Sequence, residues 1–69
     1  MNMLEKIARL PELPTVAEVS KATGLSEQNI RIGLQRGKYP FGVAIKGTGK
    51  VYMYRIVRER LLKWMGGNL

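Results

Sequence analysis

Apolar residues recur at helical spacing from the start of the chain. Over 3–10, Met3, Ile7 and Leu10 fall on one face and Glu5, Lys6 and Arg9 elsewhere, which predicts a short amphipathic helix. Pro11 and Pro14 bracket a two-residue bend and stop it. Its expected role is that of a flap over the core. Thr15-Val16-Ala17-Glu18 then has the spacing of a capping box, in which hydroxyl and carboxylate each take the other residue's backbone amide. A second helix should start at Val16 and bury Val16, Val19 and Ala22. Gly24 ends it, because the left-handed conformation of a helix stop is easiest for glycine. Only Leu25 separates Gly24 from Ser26, the next good N-cap. Leu25 and Ile30 stand at hydrophobic-staple spacing, and a third helix should run over 27–36 and end at Gly37. Two short helices around a tight glycine turn have the form of a helix-turn-helix, a pattern that a plain helical hairpin shares.

Tyr39-Pro40-Phe41-Gly42 interrupts the helical period. The β-branched and aromatic runs 43–46 and 51–54 flank Gly47-Thr48-Gly49-Lys50 and predict a hairpin. Two registers are open. A two-residue turn at Thr48-Gly49 places Val43, Ile45, Tyr52 and Tyr54 on one face. A three-residue turn with Gly49 left-handed groups Val43 and Ile45 with Val51 and Met53 instead, since a one-residue slip inverts one strand. The tyrosines are expected to face the core. A last helix over 56–65 should carry Val57, Leu61 and Trp64 on one face, with Arg58, Glu59 and Lys63 elsewhere. Gly66-Gly67 should end it, with Asn68-Leu69 frayed. The expected fold class is α+β, mainly α: a small winged helix-turn-helix with three or four short helices and a two-stranded β-hairpin wing. One domain spans 1–69, divided into an N-terminal helix and Pro bend (1–14), the helix-turn-helix (15–37), the wing hairpin (43–54) and a C-terminal helix (56–65).

The 69 residues leave room for one small core, and a domain of about 60 residues buries only roughly 60% of its unfolded surface. With no Cys and no His, neither a disulfide nor a zinc site can reinforce it. The missing cysteines fit a reducing cytoplasm, the expected location. Charge changes the picture most. Twelve Lys and Arg against five Glu give +7, which points to a polyanionic partner. No apolar run approaches the roughly 20 residues of a bilayer span, and the first residues do not read as a signal peptide. Nucleic acid is therefore favoured over a membrane, and a hydrophobic content of 45% argues against disorder.

With Ile30 and Leu34 turned to the core, a rotation of about 100° per residue points Gln28, Ile32 and Gln35 away from it. Arg31 lies on one side of that face, and Asn29 and Arg36 on the other. Amides and guanidiniums suit base edges in the major groove: Asn and Gln pair with adenine, and Arg with guanine. Ile32 is the odd residue. Either it packs against the N-terminal helix or another subunit, or it meets a thymine methyl. Gly33 inside a helix costs up to about 1 kcal/mol relative to Ala, and close approach of the preceding helix is its expected reason. The wing tip, Lys46-Gly47-Thr48-Gly49-Lys50, offers cations, a hydroxyl and glycines for contact with phosphate or the minor groove. It is not a P-loop, because Gly49-Lys50 is followed by Val51 and by a strand. Arg55, Arg58 and Arg60 cluster at the start of the last helix, where the helix dipole prefers acids, so phosphate contact is expected of at least one. No Ser or Thr has a His partner, and no two Glu are close in sequence. No enzymatic activity, metal or cofactor is expected.

From Thr15 to Met65 the chain resembles the excisionase-like and mercury-resistance-regulator-like winged-helix superfamily. The resemblance rests on Val19-Ser20-Lys21-Ala22-Thr23-Gly24-Leu25-Ser26, on Ile30-Arg31, and on Gly37-Lys38-Tyr39-Pro40-Phe41-Gly42. It is strongest to the small single-domain proteins of temperate phages and integrative elements. It implies a major-groove role for Gln28, Asn29, Arg31, Gln35 and Arg36, and a wing role for Lys46, Thr48 and Lys50. Ser20 stands where many such helices carry Ala, and Gly33 where a larger apolar residue is common. The implied function is that of an excisionase, which binds repeated sites in double-stranded DNA and bends them for an integrase. A small phage transcriptional regulator would need the same contacts. An RNA-binding protein is disfavoured by the lack of aromatic stacking platforms, and a protein-interaction adaptor is a further alternative. A chain without a coiled coil should be a monomer in solution and a cooperative multimer on DNA.

Overall fold

The first three helices each start on a side chain that satisfies a free backbone amide. A computed structural model describes residues 2–49 and 51–66. In α1 (Met3–Ala8), the Asn2 side chain accepts from the Glu5 amide at 2.9 Å. In α2 (Val16–Thr23), the capping box forms in both directions: the Glu18 amide donates to Thr15 Oγ1 at 3.1 Å, and the Thr15 amide to Glu18 Oε1 at 2.9 Å. In α3 (Glu27–Gln35), Ser26 Oγ accepts from the Asn29 amide at 3.0 Å. The stops are equally local. Gly24 takes the left-handed conformation at φ 81°. After Arg36, Gly37 does the same at φ 68°, while its amide and that of Lys38 return to the carbonyls of Leu34 and Gly33. This paired closure is the Schellman motif.

The chain continues through β1 (Gly42–Lys46) and β2 (Tyr52–Ile56), an antiparallel pair, into α4 (Arg58–Gly66). Among the described residues, four short helices and one hairpin thus form a small α+β unit around a core of Ile7, Val19, Ala22, Ile30, Leu34, Phe41, Ile56 and Leu61. α1 packs on α2 and α4, α2 on α3, and α3 on β1.

Two boundary expectations change. The first helix is two residues shorter than 3–10, and Met3 at its open end is 41% exposed. Ile7, by contrast, has no exposed surface, so this helix covers the core with one side chain set fully into it. Ile56 belongs to β2, not to the last helix. Its side chain is buried at the end of the strand, and the next amide, Val57, donates to the Phe41 carbonyl at 3.0 Å. In α4, Leu61, Leu62 and Met65 pack on the core, and Trp64 lies at the edge with its ring against Tyr39 and Phe41.

The hairpin takes the three-residue-turn register. Ile45 faces Met53 and Ala44 faces Tyr54, the Gly47 amide donates to the Val51 carbonyl at 2.7 Å, and Gly49 has φ 72°. The grouping of Val43 and Ile45 with the tyrosines is overturned, yet the tyrosines do face the core side. Ile56 decides this: alternation along β2 puts Tyr54 and Tyr52 on the same side as that buried residue. Val43, Ile45, Val51 and Met53 are left exposed.

Phe41 is fully buried and forms a three-ring cluster with Tyr39 at 5.0 Å and Trp64 at 5.3 Å, which also pack on each other at 5.4 Å. Phe41→Ala should lose about 3–5 kcal/mol, comparable with the whole stability of a domain this small. Urea denaturation followed by Trp64 fluorescence should show a largely unfolded population at 25 °C without denaturant.

Candidate nucleic-acid interface

The position of α3 is set by the turn that precedes it. Ser20 Oγ donates to the Leu25 carbonyl at 2.6 Å. Buried Thr23 donates to the Val19 carbonyl at 2.7 Å and accepts from the Leu25 amide at 3.2 Å. The two hydroxyls satisfy the polar backbone of a turn pressed against the core, and this gives Ser20 a purpose that Ala could not serve.

Ile30, Gly33 and Leu34 are the buried side of α3. Gln28, Asn29, Ile32, Gln35 and Arg36 are exposed on the rest of its surface, and Arg31 is partly so. Three of these side chains are held. Arg31 donates to Glu27 Oε1 at 3.2 Å, one helical turn back. An exposed pair of this kind is worth about 0.3–0.5 kcal/mol, so a stronger anion can replace it. Gln35 Nε2 donates to the Tyr54 hydroxyl at 2.6 Å, tying α3 to the hairpin. The Tyr39 hydroxyl donates to Asn29 Oδ1.

Tyr39 also accounts for Gly33. A Cβ at Gly33 would lie 2.2 Å from Tyr39 Cε2 and 2.4 Å from Cδ2. The close neighbour is this ring, arriving from the far side of the helix stop, and not the preceding helix as expected. Ile32, 38% exposed, lines a cleft of about 310 Å³ with Asn29, Gly33, Arg36, Lys38 and Tyr39. No residue of α1 borders that cleft, so packing against the N-terminal helix does not explain Ile32.

On the hairpin, Lys46 and Thr48 are exposed near the turn, and Arg55 is exposed opposite Val43. Lys50 lies outside the described residues. Arg58 is engaged by the chain itself: Nη1 donates to the Leu10 carbonyl at 2.9 Å and Nε to Glu59 Oε2 at 3.1 Å. With its amide bonded to the Glu12 carbonyl at 3.0 Å, it fastens the Pro bend to α4. Arg60 is exposed.

Charge along the chain is sharply divided. From Gln28 to Arg58 there are seven cations and no carboxylate, whereas the rest of the chain holds five of each. The whole net charge therefore equals that of the stretch from Gln28 in α3, through the hairpin, to Arg58, the first residue of α4. Lys38, Tyr39 and Tyr54 were not among the residues singled out by spacing. The cation-only run was the signal that could have found Lys38. The tyrosines had none, because their partners lie ten and nineteen residues away.

Comparison with protein families, with curated proteins and with solved structures finds no match.

Gly33→Ala separates local propensity from tertiary fit. Helix propensity alone would stabilise the variant by about 0.8–1.0 kcal/mol. Displacement of Tyr39 from Phe41 and Trp64 should outweigh that, for a net loss of about 1–3 kcal/mol. Thermal unfolding gives the sign, and near-ultraviolet circular dichroism reports the aromatic cluster.

Proposed function

We propose that this chain is a sequence-specific duplex-DNA-binding domain of the winged helix-turn-helix kind, with α3 in the major groove and the hairpin as the wing. One observation carries the reading: the entire net charge lies on the segment that also presents the exposed amides and guanidiniums of α3. Polar side chains of this kind read base edges, and an excess of cations without carboxylates draws in the phosphate backbone. Arg31, Gln35, Gln28 and Asn29 are the candidate base readers, with Ile32 available to a thymine methyl beside Arg36. Lys46, Thr48, Lys50 and Arg55 are the candidate backbone contacts. Arg58 is the weakest member of the set, because it already bonds within the chain. The resemblance described above refines the reading to an excisionase that assists an integrase. Bending of a natural site in circular-permutation gel shifts separates that role from the runner-up, a small transcriptional regulator.

Binding to duplex DNA should weaken steeply with salt. If about four to six phosphates are neutralised, log K against log salt should fall with a slope of about −4 to −5. An affinity unchanged between low and physiological salt would remove the proposal.

The two surfaces should also divide the work. Arg31→Ala or Gln35→Ala should weaken the preferred site by about 1–3 kcal/mol and leave non-specific binding nearly intact. Replacing Lys46 and Lys50 together should weaken binding to all sequences and reduce the salt slope by up to about two. Fluorescence anisotropy on preferred and scrambled duplexes measures both, and the reverse pattern would show that the surfaces had been exchanged.

A further inference from the structure

The outer face of the hairpin is apolar and unpartnered. Val43 is 52% exposed, Ile45 47% and Met53 60%, all on the side of the sheet that turns away from the tyrosines, and Val51, just before β2, is 64% exposed. We propose that this face docks a second copy of the chain, wing against wing across a two-fold axis, when both copies sit on one DNA. The inference rests on the DNA-binding reading for where the pairing occurs.

Area and charge together select that occupant. The four side chains expose on the order of 350 Å², within the range of patches that carry a function on small proteins. Two such faces would bury on the order of 700 Å², short of the roughly 1,200–2,000 Å² of a stable free complex. Charge opposes the contact as well. Between Gly42 and Ile56 there is no carboxylate, Arg55 shares the face with Val43, and each copy carries +7. A polyanion removes the repulsion and supplies the missing proximity, so the contact is built to form on DNA and not before it. Ile45 and Met53, paired across the strands, give the patch a flat aliphatic centre that can meet its own image, as sheets do when they pack face to face. A contact between identical patches is two-fold by symmetry. The preferred natural site should therefore be an inverted repeat, with the two wings meeting at its centre.

The test uses the whole chain on duplexes that carry one preferred site, two inverted sites or two direct repeats. The second copy should bind the inverted pair at least about tenfold more tightly than it binds a single site, and the direct pair without that gain. Ile45→Thr with Met53→Thr places a residue of high strand propensity at both positions and should abolish the gain at unchanged single-site affinity, with circular dichroism confirming the fold. A second measurement needs no DNA. The chain has no cysteine, so Met53→Cys is a unique thiol. In concentrated sodium sulfate, which screens charge and favours apolar contact, diamide should couple Met53→Cys into dimers at least about tenfold faster than Ala17→Cys on exposed α2. Equal coupling at the two positions, cooperativity confined to direct repeats, or cooperativity unchanged in the double Thr variant would each overturn the wing-to-wing contact. Preferential coupling at Met53 in a chain that binds no duplex would keep the face and overturn the DNA reading.

Discussion

The Phe41 ring has no exposed surface, although Lys38 and Pro40 on the same segment are exposed. Tyr39 stacks on it, and Trp64 packs against both rings. The Phe41 carbonyl receives the Val57 amide at the point where β2 gives way to α4. One residue thus joins the end of α3, the start of the hairpin and the last helix. Without a disulfide, nothing covalent could take its place. Tyr39 lies over Gly33 and reaches Asn29 because Phe41 and Trp64 hold its ring, and the outward face of α3 inherits its order from that stack.

The segregation of charge has a structural cost. Seven cations share one region without a carboxylate among them, and like charges at that density oppose compaction. The chain manages this by keeping most of them on exposed positions and by giving Arg58 an internal partner in the Leu10 carbonyl. The remainder of the molecule, with its balanced charge, supplies α1, α2 and much of the core. The cationic segment still contributes Ile30, Leu34, Phe41 and Ile56 to the core, so its charges are carried on the outer faces of elements that also pack.

Much of the fold was legible in local spacing. The capping box at Thr15 and Glu18, the glycine stops at Gly24 and Gly37, and the Ser26 cap all formed where residue types three or four positions apart called for them. These features satisfy backbone groups within one turn of chain, so neighbouring residues suffice to specify them. The exposed face of α3 was legible for the same reason, since two buried residues orient every other position on a helix. The purpose of Gly33, the bonds of Asn29 and Gln35 to tyrosines, and the internal role of Arg58 were not. Each depends on a partner brought close by the fold, forty-eight residues away in the case of Leu10.

The hairpin marks the boundary between the two kinds of information. Its β-branched runs and Gly-rich turn established that two strands would pair, and left two registers open. Tertiary structure chose between them by burying Ile56 against the core, and strand alternation then carried that choice to Tyr54 and Tyr52. It also turned Val43, Ile45 and Met53 outward, contrary to what hydrophobicity alone would suggest. By itself, the sequence determined the order of helices and hairpin, the stops of α2 and α3, and where the charge would lie. Which strand face met the core was decided only by packing, because a period-two pattern is indifferent to a one-residue slip until one residue is anchored.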